Sequence, residues 1–346
     1  MTKNIHSRHC EYRGRINPAQ RRSNFNNAKK CFWLVIIATV ICFGFYVVKA
    51  QEPKPLLHFV QVSDTHLQRN FAKDAERLLG SSEKLLTDAV KQINDIQDLD
   101  FVLSTGDQVD VPDEKLIDKY IDITMSLNRP LYVLLGNHDV SVNGGLGKKG
   151  YIKKFYKLKD ATSFTDEMAY YSFSPNDKFT VICLDGTTEK TVTANAQIAN
   201  EQLKWLKSEL EANKDKYIII ALHFPLIEPY KSESHQFLEP SRTKLLNLLS
   251  DYKNVVGIFS GHYHAARLFK IKNKIHNSCP AVVQYPNAFR EITITQEDPK
   301  YLTFNFKFHA VDGAELREVS KNSSRSWSLS QGNDEDREQT IKLMVY

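Results

Sequence analysis

The chain has 346 residues, of which 42% are apolar and a quarter charged, with five cysteines and a formal net charge of +5. It is long enough to bury a sizeable core, and its composition excludes a disordered, collagen-like or disulfide-stapled protein. The charge is lopsided. Residues 1–30 hold eight Lys or Arg against one acid, Glu11, so the remainder is slightly negative and offers no broad basic face for nucleic acid.

The basic segment 1–30 runs into CFWLVIIATVICFGFYVV, residues 31–48, which carries no charge. At about 1.5 Å per residue this stretch comes close to the hydrocarbon thickness of a bilayer. With Lys and Arg concentrated ahead of it, it predicts a transmembrane signal-anchor whose N-terminal side is cytoplasmic and whose following domain is extracytoplasmic. An alternative reading is cleavage near Ala50, since Val48-Lys49-Ala50 has the pattern of a signal-peptidase site, which would give a secreted protein. Residues 49–55, with Pro53 and Pro55 on either side of Lys54, read as a stiff linker.

From residue 56 to about 310 short β-rich apolar runs alternate with helical spacing. The runs are LHFVQVS (57–63), FVLSTG (101–106), LYVLLG (131–136), FTVICLD (179–185), YIIIALH (217–223) and VVGIFSG (255–261). Apolar residues at helical periods predict helices over 82–95, 114–126, 200–213 and 241–252, the first capped by Ser81 or Ser82. This is an α/β layered domain. After about residue 265 strands follow without helices (266–273, 281–285, 290–295 and 303–310), and residues 311–346 read as a tail, loose from Ser320 to Arg337. Cys183 reads as a buried apolar position, and nothing supports a disulfide with Cys279.

The ends of the strands carry the chemistry. They present Asp64 and His66, then Asp107, then Asn137 and His138, then His223, and last His262 and His264. One Asp before a turn is more often a cap, and one His is more often a satisfied core group. The recurrence after strand upon strand is what points to a metal centre, because ligands gather at the carboxyl ends of strands in an open α/β sheet. Asp64 with His66, and His262 with His264, are two residues apart and can close on one ion. Glycines before Asp107, Asn137 and His262 allow sharp turns and close backbone approach. Seven O and N donors suffice for two divalent or mixed-valence ions sharing Asp107, with ligation suited to Mn, Fe or Zn. Such a pair acidifies a shared water and neutralises phosphate oxygens, so no Ser or Cys nucleophile is needed.

The ordered set D-x-H, G-D, G-N-H-D, H and G-H-x-H resembles the calcineurin-like metallophosphoesterases over about residues 57–310. The resemblance implies a four-layer αββα sandwich with a dinuclear site. It implies Asp64, His66, Asp107 and His264 around the first metal, and Asp107, Asn137, His223 and His262 around the second. It also implies that His138 protonates the leaving oxygen and that the Asp110 carboxylate orients His138; Asp139 is given a turn or capping role. QVSDTHLQ, the helix before IIIALHFP, and PAVVQYPNAFR look like the class III cyclic-nucleotide phosphodiesterase branch, although Phe224 stands where that branch has a second His.

The implied activity is metal-dependent hydrolysis of a phosphodiester or phosphomonoester, small-molecule or lipid. Alternatives are a cyclic-nucleotide phosphodiesterase and a metal-binding scaffold without catalysis. Loops 142–151 and 226–240 should rim the site, with Lys148, Lys149 and His235 as candidates to meet anionic substrate.

Overall fold

In the computed structural model the described residues are 54–69, 71–156, 168–188 and 191–345. The predicted anchor at 31–48 and the cleavage position near Ala50 lie outside them. Among the described residues no helix is long and apolar enough to cross a membrane.

The elements follow in chain order as β1 (Leu57–Val62), α1 (Ser82–Asp95), β2 (Phe101–Ser104), α2 (Glu114–Thr124), β3 (Leu131–Val133), α3 (Lys148–Tyr156), β4 (Tyr171–Asn176), β5 (Phe179–Leu184), α4 (Asn200–Ala212), β6 (Tyr217–Leu222), α5 (Ser241–Ser250) and β7 (Val255–Ser260). After these come β8 (Arg267–Ile271), β9 (Lys274–Ser278), β10 (Ala288–Thr295), β11 (Tyr301–Ala310), the helices α6 (Ala314–Ser323), α7 (Trp327–Gln331) and α8 (Asp334–Arg337), and β12 (Gln339–Met344).

Two six-stranded mixed sheets form, ordered β12-β11-β10-β1-β2-β3 and β4-β5-β6-β7-β9-β8. In the first, β1, β2 and β3 are parallel; in the second, β5, β6, β7 and β9 are parallel. Their inner faces meet in one apolar core, where Phe59 stacks on Phe101 at 4.9 Å and meets Phe259 of the other sheet at 5.5 Å. Leu85, Ala89 and Ile93 of α1 and Leu116, Ile117 and Tyr120 of α2 pack on the first sheet. Leu206 and Leu210 of α4 and Leu245 and Leu249 of α5 pack on the outer face of the second. The layers are therefore helix, sheet, sheet, helix, as the αββα reading expects.

The helix over 82–95 appears as predicted, but not its cap. Ser81 Oγ donates to Asp74 Oδ2 at 2.6 Å and Ser82 Oγ to the Leu79 carbonyl at 2.7 Å, so both hydroxyls fasten the preceding loop. Asp113 caps α2, accepting from Lys115 N and Leu116 N at 2.8 and 3.2 Å. Residues 281–285, expected as a strand, are a buried irregular segment, whereas β4 and β9 carried no expectation. The segment from Ser320 to Arg337 is built into the fold as well, through α6 to α8, and β12 adds an edge strand along β11. Cys183 and Cys279 are buried and form no disulfide.

Candidate metal centre

Parallel strands send their carboxyl ends to one side. Val62 pairs with Ser104 and Ser104 with Val133, while Leu184 pairs with Leu222, so the segments leaving these strands emerge together. The turns then force unusual backbone. Asp64, His66, Asp107, His262 and His264 all have positive φ, at 53°, 36°, 53°, 70° and 51°. Non-glycine residues rarely adopt this region, and five such residues around one point is strain that the surrounding fold imposes at a functional site. Gly136 shows how tightly the turns pack: a Cβ there would lie 2.2 Å from Asp107 Oδ1.

The side chains converge in three overlapping groups, Asp64 with His66 and His264, His66 with Asp107 and His138, and Asp107 with His223 and His262. His264 Nε2 lies 3.3 Å from Asp64 Oδ1. Asp107 Oδ2 lies 3.6 Å from His66 Nε2 and 3.3 Å from His223 Nε2, so one oxygen faces both rings, as a shared ligand must. Between the imidazoles, His66 Nε2 is 3.1 Å from His264 Nε2 and His223 Nε2 is 3.2 Å from His262 Nδ1.

The outward nitrogens decide what the inward ones can be. His223 Nδ1 donates to the Thr105 carbonyl at 2.7 Å, His262 Nε2 to the Ala194 carbonyl at 2.8 Å and His264 Nδ1 to Gln284 Oε1 at 2.5 Å; His66 Nδ1 sits 3.2 Å from Asp110 Oδ1. For His223, His262 and His264 the partner is an oxygen acceptor, so the ring keeps its proton on the outer side and aims a lone pair inward; His66 Nδ1 also has Arg77 Nη1 at 3.4 Å, and the nearer Asp110 oxygen favours the same tautomer. Two facing pairs of imidazole nitrogens, two carboxylates and the buried Asn137 Oδ1, which has no hydrogen-bond partner, make a cluster rich in acceptors, in which Ser63 Oγ and the His262 N–H donate to Asp64 and the His138 N–H donates to Asp107. Positive charge is what satisfies it, and the donor set fits two divalent ions.

Protons report the same field. Burial disfavours the His223 cation, yet Asp107 and Asp64 beside it lift its pKa to about 9. Burial likewise opposes His264, and Asp64 raises it. Their partners go the other way: burial takes His66 down to about 4 and His262 well below its ordinary value. Burial pushes Asp64 up, but His264 and His223 hold it at about 2. Each imidazole pair can thus hold one proton in the place where a cation would sit, and metal and protons compete for the site.

His138 stands at the edge of this cluster, its side chain 32% exposed. Its Nδ1 donates to the Asp110 main-chain carbonyl at 2.7 Å, which leaves Nε2 for the cavity, while the Asp110 carboxylate is 3.9 Å away. That carboxylate instead accepts from Arg77 Nη1 at 2.8 Å and braces His66 Nδ1. Asp110 therefore holds His138 by its backbone and His66 by its side chain. Asp139, expected in a turn, is buried and accepts from the backbone N–H of Gly136, Asp107 and Val109 at 2.8, 2.9 and 3.1 Å, locking two ligand loops together.

A cavity of about 320 Å³ lies over the cluster. Loop 226–240 lines it through Tyr230 and His235, as expected of a rim. Loop 142–151 does not: Lys148 Nζ is engaged by Asp185 Oδ2 at 2.8 Å and Lys149 is exposed away from the lining. Phe224 is buried with its ring 4.7 Å from that of His262 and 4.9 Å from that of His223. Glu76, Arg77, Gln284 and Ser326 also line the cavity and carried no expectation. Only Gln284 had a signal, lying in the segment PAVVQYPNAFR.

The profile of the calcineurin-like phosphoesterases matches residues 57–266. A cyclic adenosine monophosphate phosphodiesterase of Haemophilus influenzae is 24% identical over 217 residues, covering 62% of this chain and 72% of the relative. Tartrate-resistant acid phosphatase type 5 of Rattus norvegicus is 24% identical over 269 residues, covering 70% of this chain and 77% of that protein. Among solved structures, a dimetal phosphatase from Danio rerio superposes with a TM-score of 0.55 at 16% identity over 75% of this chain and all of its own, which supports the fold. The chain belongs to the calcineurin-like phosphoesterase family and is a metallophosphoesterase, a hydrolase of phosphoric ester bonds.

Proposed function

We propose that the protein hydrolyses phosphate esters, phosphodiester or phosphomonoester, at a dinuclear centre in an extracytoplasmic domain. The observation that carries this reading is the convergence of Asp64, His66, Asp107, His223, His262 and His264, with the partnerless Asn137 Oδ1 on a residue that lines the same cavity. Asp64, His66, Asp107 and His264 would hold one ion, and Asp107, Asn137, His223 and His262 the other. Two such ions, of Mn, Fe or Zn type, supply the Lewis acidity that neutralises phosphate oxygens and makes water acidic enough to attack phosphorus near neutral pH.

The chain's own residues do the rest. Burial of the cluster keeps the field strong. His138, fastened through Nδ1 to the Asp110 carbonyl, offers Nε2 to the cavity and can protonate the departing alkoxide there. The Asp110 carboxylate, with Arg77, keeps His66 in its tautomer.

The test is direct. Full-length protein stripped of metal and reloaded with Mn²⁺ should cleave bis-p-nitrophenyl phosphate, and a panel of cyclic nucleotides, nucleotide monoesters and phospholipids should then rank substrates. Stoichiometric metal binding with no turnover across mono- and diesters would establish the scaffold reading instead. The membrane placement is supported by the charge-free run 31–48 behind a basic segment. A reporter fused after Tyr346 should be active only on the far side of the membrane, and a cytoplasmic signal would overturn that placement.

A further inference from the structure

Beneath the floor of the cavity lies a buried amide that the hydrolytic reading does not use. Gln61 sits on β1 in step with Phe59 and Ser63, and no part of it reaches solvent. Its Nε2 donates to Thr105 Oγ1 and to the Ser260 carbonyl, both at 3.0 Å. A carbonyl can only accept, so the amide nitrogen must face Ser260, and Oε1 is left to accept from Asn277 Nδ2 on β9. Asn277 is buried as well, and its own Oδ1 meets no donor among the described residues.

The partners of Gln61 are the roots of the ligand-bearing turns. Thr105 leads through Gly106 to Asp107, and its carbonyl holds His223 Nδ1 at 2.7 Å. Ser260 leads through Gly261 to His262, and Gln61 itself stands shortly ahead of Asp64 on the same strand. One amide thus joins two turns of the first sheet to one of the second, and each turn carries a candidate ligand at positive φ, Asp64, Asp107 and His262. Such backbone persists only where its surroundings over-determine it. The outer nitrogens of His66 and His264 are braced elsewhere, by Asp110 and Gln284.

As a contribution to folding the pair is a poor one. Phe59, Phe259 and Ile275 belong to the apolar core at this level, and the amides of Gln61 and Asn277 leave an oxygen unsatisfied within it, which costs stability. A polar network buried at such a cost specifies one arrangement of the groups it joins. We infer that Gln61 is a positioning residue for the metal centre, setting Asp107, His223 and His262 against Asp64 so that the second ion is held in a fixed place relative to the first. The inference rests on the dinuclear reading above and divides its labour. The group of Asp107, His223 and His262 depends on Gln61, whereas that of Asp64, His66 and His264 depends on Asp110 and Gln284.

The experiment compares wild type with Gln61→Met, which keeps the length of the side chain and removes its hydrogen bonds, on the full chain stripped of metal and titrated with Mn²⁺ against a chelator. Wild type should take up two ions and give the electron paramagnetic resonance spectrum of an exchange-coupled pair. Gln61→Met should hold one ion as wild type does and the other about 10–100-fold more weakly. Its spectrum should be that of isolated Mn²⁺ until excess metal restores the coupled signal and, with it, turnover of bis-p-nitrophenyl phosphate. Should Gln61→Met fail to fold because Asn277 Nδ2 is left unpaired, Gln61→Met combined with Asn277→Leu removes both partners and should show the same selective loss. Denaturant melts of the metal-free proteins isolate a purely structural role, which would move the melts and leave both affinities and the coupled spectrum as in wild type. That result, or equal weakening of both ions, overturns the inference while the dinuclear reading stands. A wild type that takes up fewer than two ions overturns the dinuclear reading and the inference with it.

Discussion

The floor of the cavity and its rim are built on different principles. On the floor the candidate ligands follow parallel strands, five of them (Asp64, His66, Asp107, His262 and His264) sit in strained backbone, and the outer nitrogens of the four imidazoles face Thr105 O, Ala194 O, Gln284 and Asp110. At the rim, Glu76, Arg77, Tyr230, His235 and Ser326 come from separate loops and the C-terminal segment, with few bonds apiece. The difference separates two jobs. Rigid, over-determined groups set the reaction, and adaptable ones set what is allowed to react.

Substitutions should respect that division, and the largest effect should come from the floor. Asp107→Asn removes the oxygen that faces both ligand groups; elemental analysis should show lost metal, and turnover should fall by more than the roughly 10–100-fold cost of deleting an outer partner. Next comes His138→Ala, which should retain metal yet lose about 10²–10⁴-fold in rate for esters with poor leaving groups and much less for p-nitrophenyl esters. Equal slowing across leaving groups would remove its role as the acid. Gln284→Leu deprives His264 of the acceptor that orders its tautomer and should weaken metal binding by about 10–100-fold in a chelator competition.

The smallest effect should lie outside both regions. On β10, Glu291 is bonded by His309 and His58 at 2.6 and 3.0 Å, and these partners hold its carboxyl below the ordinary value of 4.5. A depressed carboxyl stabilises the fold above the open-chain value and loses that contribution as acid protonates it. Glu291→Gln should therefore cost about 1 kcal/mol at neutral pH, with the gap narrowing as pH falls below 4.5, measured by denaturant melts, and turnover should be unaffected.

The floor was legible because polar groups closing apolar strand runs have no place in a core, and their spacing restricts how they can meet. The sandwich was legible for a related reason, since residues 57–62 and 217–222 are too continuously apolar to face water. The rim was not. Arg77 and Glu76 sit in a loop whose composition is that of any solvated turn, and their role comes from what folds over them. The segment from Ser320 to Arg337 misled for the same reason. It lacks its own apolar period, and its order comes from distant polar bonds: Ser320 Oγ accepts from Tyr285 N at 2.8 Å, and the buried Arg290 guanidinium donates to the carbonyls of Asp336 and Arg337.

The opposing origin of the candidate ligands has a mechanical consequence. Asp64 and Asp107 leave the first sheet, whereas His223 and His262 leave the second, so an ion held among them fastens the two halves of the sandwich at one lip. Deep inside, Phe59 and Phe259 join the same halves without help. Chelation should then loosen the lip alone, so that amide exchange quickens around Gly106 and Gly261 while the aromatic interior stays shut.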